Sequence, residues 1–328
     1  MELIVNLGPD TYPIYIENGI LPQTGSYIRK FFTGKKIMLI SDDHVFPLYG
    51  KTVLDSLKDY ECHSLVLPHG EPTKSFQTLP QIYSAMLDAR LTRSDLVIAL
   101  GGGVIGDLAG FAASSFLRGV RLVQIPTSLL GGKVAVDLPQ GKNLVGAFFH
   151  PKAVIIDPDV LNTLPPHFIS DGMGEVIKYG CIKDKTLFDT LVCHTSFEDL
   201  KPKLTRIIAR CVDIKRIVVE HDQFDTGERM LLNFGHTLAH TIEQYYNYER
   251  ESHEKGLTAT GCADAIKKAL DIYRLPDHCD LPMSSLTDAI ALDKKNLNNH
   301  LNLVLLHTIG DSYVRPDCLA FFDGAGQI

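Results

Sequence analysis

Short apolar runs, separated by polar stretches long enough for a helix, dominate the first half of the chain. They occupy residues 36–41, 62–67, 96–100, 120–125 and 153–157, and each is closed by aspartate, proline or glycine. Runs of this length and composition are typical of buried parallel strands joined by crossover helices. The pattern therefore predicts a parallel β-sheet.

The pattern changes after Leu164, where apolar positions recur at helical spacing and strand-like runs become rare. Residues 203–220 and 229–246 are the longest such segments, and both predict amphipathic helices. The sequence therefore predicts an α/β fold with an N-terminal parallel-sheet nucleotide-binding domain, residues 1–163. A mostly α-helical domain, residues 164–328, follows it.

Composition excludes several classes of protein. The 32 basic and 39 acidic residues give a net charge of −7, so no global positive field recruits nucleic acid. The most apolar stretch, residues 96–116, contains Asp107 and several glycines, so no membrane span is predicted. The start of the chain lacks a basic leader, and the seven cysteines form no CxxC pair. We expect a cytoplasmic protein without a disulfide framework.

A glycine-rich loop follows the third of these runs. Residues 101–106, Gly-Gly-Gly-Val-Ile-Gly, fit GxGxxG between a predicted strand and a predicted helix. Such loops let the backbone approach a phosphate, which the helix N-terminus then binds. The usual acidic residue about 20 positions later, which holds the ribose, is absent. Asp42, at the end of an earlier run, is the candidate replacement; the alternative is a tight turn without a ligand.

Histidines in the second half suggest a metal site. His236 and His240 are four residues apart, so a helix would place them on one face, a spacing that suits zinc. Glu175 and His253 are further candidate ligands. The alternative is a pair of surface histidines, which 13 histidines make common.

Cationic residues are concentrated near the same motifs. If they converge on one cleft of an acidic protein, they favour an anionic substrate with phosphate or carboxylate groups. Singly, each is more typical of a solvated surface. They are Lys133, Lys142, Lys178, Lys215, Arg229, Lys294 and Lys295.

Many short blocks, in order, resemble 3-dehydroquinate synthases of the sugar-phosphate cyclase group. The likeness extends from about residue 12 to residue 314. The matching blocks are residues 70–75 (Gly-Glu-Pro-Thr-Lys-Ser), 101–111, 125–130 (Ile-Pro-Thr-Ser-Leu-Leu), 131–136, 139–147, 175–180 (Glu-Val-Ile-Lys-Tyr-Gly), 232–237 (Leu-Asn-Phe-Gly-His-Thr) and 293–295 (Asp-Lys-Lys).

The resemblance implies a lyase that converts a phosphorylated sugar acid, 3-deoxy-D-arabino-heptulosonate 7-phosphate, into 3-dehydroquinate and phosphate in the shikimate pathway. It implies bound NAD that is recycled in each turnover, Zn²⁺ or Co²⁺, and a homodimer. The implied metal ligands are Glu175, His236 and His253, which leaves His240 on the substrate side.

The remaining implied site residues fall into two sets. The substrate-contacting positions are Lys133, Asn143, Lys178, Lys215, Arg229, Asn233, His240 and one of Lys294 and Lys295. The NAD-contacting positions are Asp42, Glu71, Lys74, Gly102, Gly103, Val104, Asp107, Thr127, Ser128, Lys142 and Thr163.

The sequence departs from the family pattern at two places beside this site. Family members carry a short segment with an aspartate and serines where Leu130 here meets Gly131, and a helix of several turns where Glu254 here follows His253. Our hypothesis is that the natural polypeptide carries both segments. Genuine deletions would put catalysis in doubt, because the loop aspartate and part of the metal surroundings would be missing.

Three other functions stay open. A related cyclase, such as a 2-deoxy-scyllo-inosose synthase, would accept a substrate without the carboxylate. A metal-dependent polyol dehydrogenase of the same architecture would release NADH rather than recycle it. A homologue without activity would bind the nucleotide alone.

Overall fold

The computed structural model describes residues 1–129, 134–139, 141–223, 227–235, 262–276 and 302–316. The chain divides into two compact units, Met1–Pro165 and Pro166–Ile328. Among the described helices, none is long and apolar enough to cross a membrane.

The first unit is built on a seven-stranded sheet. Its strands are β1 (Glu2–Val5), β2 (Tyr12–Ile16), β3 (Lys36–Asp42), β4 (Glu61–Leu67), β5 (Leu96–Gly101), β6 (Arg121–Pro126) and β9 (Ala153–Ile156). Their order across the sheet is β1-β2-β9-β6-β5-β3-β4. All neighbouring pairs are parallel except β1 and β2. The predicted parallel sheet is thus confirmed.

Helices cover both faces of this sheet, because side chains along a strand alternate between faces. On β3, Met38 and Ile40 pack in one buried cluster, and Ile37 and Leu39 pack in the other. Helices α1 (Thr24–Ile28) and α2 (Lys51–Ser56) lie on the face of Ile37 and Leu39. Helices α3 (Leu79–Asp88) and α4 (Gly103–Ser115) lie on the opposite face.

A small antiparallel hairpin, which the apolar pattern did not predict, lies beside the sheet. Its strands are β7 (Ala135–Leu138) and β8 (Gly141–Gly146). Asp137 forms a parallel bridge with Ser75, and its backbone N–H donates to the Lys74 carbonyl at 2.9 Å. The hairpin is therefore attached to the segment that follows β4.

The described part of the second unit is mostly helical, as predicted, but also contains an unpredicted antiparallel hairpin, β10 (Leu303–Thr308) and β11 (Asp311–Arg315). Helix α5 packs against α6 and α8. The helices are α5 (Pro166–Lys183), α6 (Lys185–Val192), α7 (Phe197–Leu200), α8 (Leu204–His221) and α9 (Cys262–Ile272).

One predicted helix, over residues 229–246, is wrong at its start. The chain forms a short 3₁₀ helix over Glu228–Asn233 instead, and Gly235 then adopts a φ of 79°. The Asp222 carboxylate accepts hydrogen bonds from the backbone of Gly227 and Arg229, which fixes a turn where the apolar pattern predicted a continuous helix. Residues 236–246 lie outside the described residues.

Further short helices connect the main elements. They are 3₁₀ helices at Gly8–Asp10, Leu21–Gln23, Glu71–Thr73, Phe116–Arg118, Pro158–Thr163 and Lys201–Lys203, and a π-helical turn at Phe46–Gly50.

Candidate functional site

The strand order of the first unit creates a crevice at the carboxyl ends of β3 and β5. From β3 the chain proceeds to β4 on one side, and then to β5 and β6 on the other. At such a switch point the loops leave in opposite directions, and open α/β sheets bind ligands there. Asp42 ends β3, and the glycine loop follows β5. The two candidate nucleotide elements therefore end neighbouring strands.

The glycine loop lets a ligand approach the N-terminus of α4. Gly102 precedes the helix in an extended conformation, and a Cβ on it would lie 3.6 Å from the Ser128 Oγ. A Cβ on Gly103 would meet no atom within 4 Å. The first N–H groups of a helix have no partner within the helix. This end of α4, which includes Val104, thus suits an anion.

A group of charged and polar side chains lies beside this loop, buried at Lys74 and Asp107 and half-buried elsewhere; we call it the Lys74 cluster. Its central ammonium lies 2.9 Å from Asp107 Oδ2 and donates to Asn143 Oδ1 at 2.6 Å. It also lies within 4 Å of two further carboxylates, and one of these, on Glu71, is 3.8 Å from the Lys142 Nζ. The cluster consists of Glu71, Lys74, Asp107, Asp137, Lys142 and Asn143.

Burial and charge compete in setting the protonation of this cluster. Burial raises the pKa of Glu71 to about 7; Lys74 and Lys142 oppose this shift, and a hydrogen bond with Asp137 adds to it. Burial alone would lower the pKa of Lys74, but the carboxylates of Asp107, Glu71 and Asp137 outweigh burial, and the pKa rises. The ammonium is therefore charged at neutral pH, whereas Glu71 is partly protonated.

Sequence reasoning missed Asp137, although it assigned Glu71, Lys74, Asp107 and Lys142 to the nucleotide. Asp137 Oδ1 accepts the backbone N–H of Asn143 at 2.6 Å. Asn143 has a φ of 55°, a conformation that few non-glycine residues adopt. The sequence feature that could have identified Asp137 is its position as the next acidic residue after Asp107.

Other predicted nucleotide residues lie at the same edge of the sheet. Asp42, which is buried, accepts backbone hydrogen bonds from His44 and Val45 through Oδ1. Thr127, after β6, donates its backbone N–H to the Gly101 carbonyl at 3.0 Å. Thr163, after β9, shares a hydrogen bond of 2.6 Å with the Tyr49 hydroxyl.

In the second unit, Glu175 and Lys178 lie one turn apart on α5. The Lys178 ammonium is buried and donates to Glu175 Oε2 at 2.5 Å. It also lies 5.2 Å from the ring centre of Tyr179. Buried ammonium groups need such partners, so the pair is a charged centre inside this unit.

Elements that pack on α5 carry three more predicted substrate residues. Lys215 lies on α8, and Arg229 and Asn233 lie on the 3₁₀ helix that contacts both α5 and α8. Arg229 donates to the Gln223 carbonyl at 2.6 Å. Six predicted residues lie outside the described residues, namely Lys133, His236, His240, His253, Lys294 and Lys295. The structure therefore describes Glu175 alone of the three predicted metal ligands.

Comparison with known proteins decides the family. Models described as 3-dehydroquinate synthase N-terminal and C-terminal match residues 64–171 and 172–259. A 3-dehydroquinate synthase of Clostridium botulinum (strain Alaska E43 / Type E3) is 50% identical over 98% of this chain and 99% of its own. The chain belongs to the 3-dehydroquinate synthase family. Another relative of that name, from Clostridium perfringens (strain 13 / Type A), is 49% identical over the same shares.

Length distinguishes this sequence from these relatives. The alignment to the C. botulinum relative runs over 347 residues, whereas this chain has 328. The relative therefore carries residues that this sequence lacks.

Solved structures support the fold. A 2-epi-5-epi-valiolone synthase from Streptomyces hygroscopicus, with NAD⁺ and Zn²⁺ bound, superposes with a TM-score of 0.84 at 22% identity, over 96% of this chain and 95% of its own. A 2-deoxy-scyllo-inosose synthase complexed with carbaglucose-6-phosphate, NAD⁺ and Co²⁺ gives 0.81 at 22%, over 98% of each chain. A butanol dehydrogenase from Thermotoga maritima gives 0.57 at 13%, over 85% and 88%.

Proposed function

We propose that the chain is an NAD- and metal-dependent lyase that converts 3-deoxy-D-arabino-heptulosonate 7-phosphate into 3-dehydroquinate and phosphate. The observation that carries this proposal is the 50% identity to a 3-dehydroquinate synthase over nearly the whole chain. The solved cyclases with other activities are 22% identical. The proposal includes a homodimer in the cytoplasm and residues 1–163 as the NAD-binding domain.

The residues at the carboxyl edge of the sheet fit a dinucleotide. The open space over Gly103 admits a pyrophosphate to the N-terminus of α4, where a side chain would fill the approach. Asp42 would hold a ribose, because its carboxylate is fixed by two backbone N–H groups at the end of the neighbouring strand. The Lys74 cluster would orient Lys142 and Asn143 beside the same loop.

The second unit fits a divalent metal ion through the donor type of Glu175. A carboxylate with two histidines is a common open zinc site, and we assign the histidine positions to His236 and His253. When bound, NAD would accept and return a hydride while the metal ion polarises the oxygen being oxidised. In the proposal Lys178 orients the Glu175 carboxylate, because its ammonium donates to Oε2 at 2.5 Å.

Cationic side chains of the second unit would bind the anionic substrate. Arg229 suits the carboxylate, since a guanidinium makes paired hydrogen bonds to it. Its position is fixed by the hydrogen bond to the Gln223 carbonyl and by the Asp222 carboxylate on its backbone. Lys178, Lys215, Asn233 and His240, with Lys133, Lys294 and Lys295, complete the proposed substrate set.

The test is phosphate release from the heptulosonate phosphate by purified protein supplied with NAD and Zn²⁺. We expect release that a chelator abolishes and that leaves no net NADH. Glucose 6-phosphate, which lacks the carboxylate, is the matched control and should release none. Faster release from glucose 6-phosphate would indicate a related cyclase, and accumulating NADH would indicate a dehydrogenase.

A folded protein that binds NAD but releases no phosphate would contradict the proposal for this sequence. The same assay on a variant that carries the relatives' two extra segments then tests the deletions. Activity gained only in that variant would show that residues missing here are required.

A further inference from the structure

Two histidines and an aspartate form an exposed group at the carboxyl ends of β3 and β4. One ring nitrogen each of His44 and His69 and a carboxylate oxygen of Asp43 lie within 4.8 Å of one another. The Asp43 Oδ1 is 2.8 Å from the His69 Nδ1, and the two imidazole rings stack with centroids 3.5 Å apart. Neither histidine belongs to the site assigned above.

Backbone hydrogen bonds hold these three residues together. The N–H of Asp43 donates to the Leu67 carbonyl at 2.9 Å, which joins the ends of the two parallel strands. The N–H of His69 donates to Asp43 Oδ1 at 2.9 Å, and the N–H of His44 donates to Asp42 Oδ1 at 3.0 Å. The three side chains thus project from a fixed turn, so little chain entropy is lost when they share a ligand.

The donor set matches a particular class of ion. Two imidazole nitrogens and one carboxylate oxygen suit Zn²⁺ and its neighbours in the transition series, and are poor ligands for Mg²⁺ or Ca²⁺. Donors around a tetrahedral Zn²⁺ lie about 3.3 Å apart. Here the three candidate donor atoms lie within 4.8 Å of one another, so small side-chain rotations bring them to that spacing.

We propose that Asp43, His44 and His69 bind a divalent transition-metal ion such as Zn²⁺ at a surface site that shares no residue with the Glu175 site. Stacked rings do not aim their lone pairs at one point, so one imidazole turns on binding. Both rings are exposed, so this rotation disrupts little beyond their mutual stacking. Water completes the coordination.

The test is equilibrium dialysis of metal-free protein against Zn²⁺, with the bound metal measured by elemental analysis. The wild-type chain should bind one equivalent more than His44→Asn or His69→Asn, in which affinity at this site falls at least tenfold. His63→Asn is the matched control, because His63 is an exposed histidine of β4 outside the group. His69→Cys should retain the extra equivalent, since a thiolate is also a zinc ligand.

Equal zinc binding by wild type, His44→Asn and His69→Asn would overturn the proposal, as would an equal loss in His63→Asn. If His69→Cys also lost the extra equivalent of Zn²⁺, the proposal would be contradicted as well. A thiolate can coordinate zinc, so the loss in both variants would reflect a change in local structure and not a lost ligand. The measurement reads bound metal and not activity, so its outcome is independent of the proposed function.

Discussion

Removing the central cation of the Lys74 cluster should destabilise the first unit strongly. At an effective dielectric constant of 20, the 2.9 Å between Lys74 Nζ and Asp107 Oδ2 corresponds to about 6 kcal/mol of attraction, which burial of both charges partly offsets. Lys74→Met leaves the buried Asp107 carboxylate without this compensating charge. We expect the free energy of unfolding at pH 7.5 to fall by about 3–5 kcal/mol.

Urea unfolding followed by far-UV circular dichroism measures this loss; the chain contains no tryptophan for fluorescence. Lys36→Met is the matched control, because the Lys36 ammonium lies 3.7 Å from a half-exposed Glu61 and is itself partly solvated. It should cost about 1 kcal/mol or less. In Lys74→Met/Asp107→Asn, which also removes the uncompensated carboxylate, part of the lost stability should return.

A loss below about 1 kcal/mol in Lys74→Met, equal to the control, would refute the reasoning. It would mean that water reaches the cluster and screens its charges. If Lys74→Met/Asp107→Asn were no more stable than Lys74→Met, the energetic pairing of Lys74 with Asp107 would be refuted.

Three further substitutions separate stability from function. Glu71→Gln should remove a pH dependence: burial raises the pKa of Glu71 to about 7 from 4.5, so the folded state binds the extra proton in that window. The free energy of unfolding of the wild type should therefore fall by about 3 kcal/mol as the pH rises from 4.5 to 7. The fall should be smaller in Glu71→Gln, and urea unfolding at a series of pH values measures both. Gly103→Ala should change the free energy of unfolding by no more than about 0.5 kcal/mol, because its Cβ meets no atom within 4 Å. The same variant should bind NAD at least tenfold more weakly by calorimetry, and an unchanged affinity would mean that the glycine loop does not contact NAD. Lys178→Met should slow phosphate release by about two orders of magnitude, whereas Lys183→Met, in a partly exposed pair on the same helix, should not.

The sheet was predictable from the sequence because buried parallel strands are continuous apolar runs. The runs at 36–41 and 96–100 correspond to β3 and β5 with one residue added at the end of each. The glycine loop and Asp42 followed from where those runs end. Local composition thus placed both candidate nucleotide elements at strand ends, whereas the crevice between them follows from the strand order.

The hairpins and the Lys74 cluster depend on pairing between distant segments, which no local pattern reveals. The pairing of Leu138 with Gly141 lies in a short sequence of mixed polarity, which has no strand-like pattern. Asp137 joins the cluster because its backbone bonds to Lys74, and that partner is chosen by tertiary structure. The 3₁₀ helix at Glu228–Asn233 likewise depends on the Asp222 carboxylate, which accepts the backbone N–H groups of Gly227 and Arg229, whereas the apolar spacing alone favoured an α-helix.

The insertion of β9 between β2 and β6 affects how the chain folds during synthesis. Strand β2, near the start of the chain, bonds to β9 on one side and β1 on the other. Until Ala153–Ile156 leaves the ribosome, the nascent chain exposes the edges of β2 and β6. Unpaired edges of this kind recruit other chains, so a chaperone that shields early intermediates would raise the yield of folded protein most before this strand emerges.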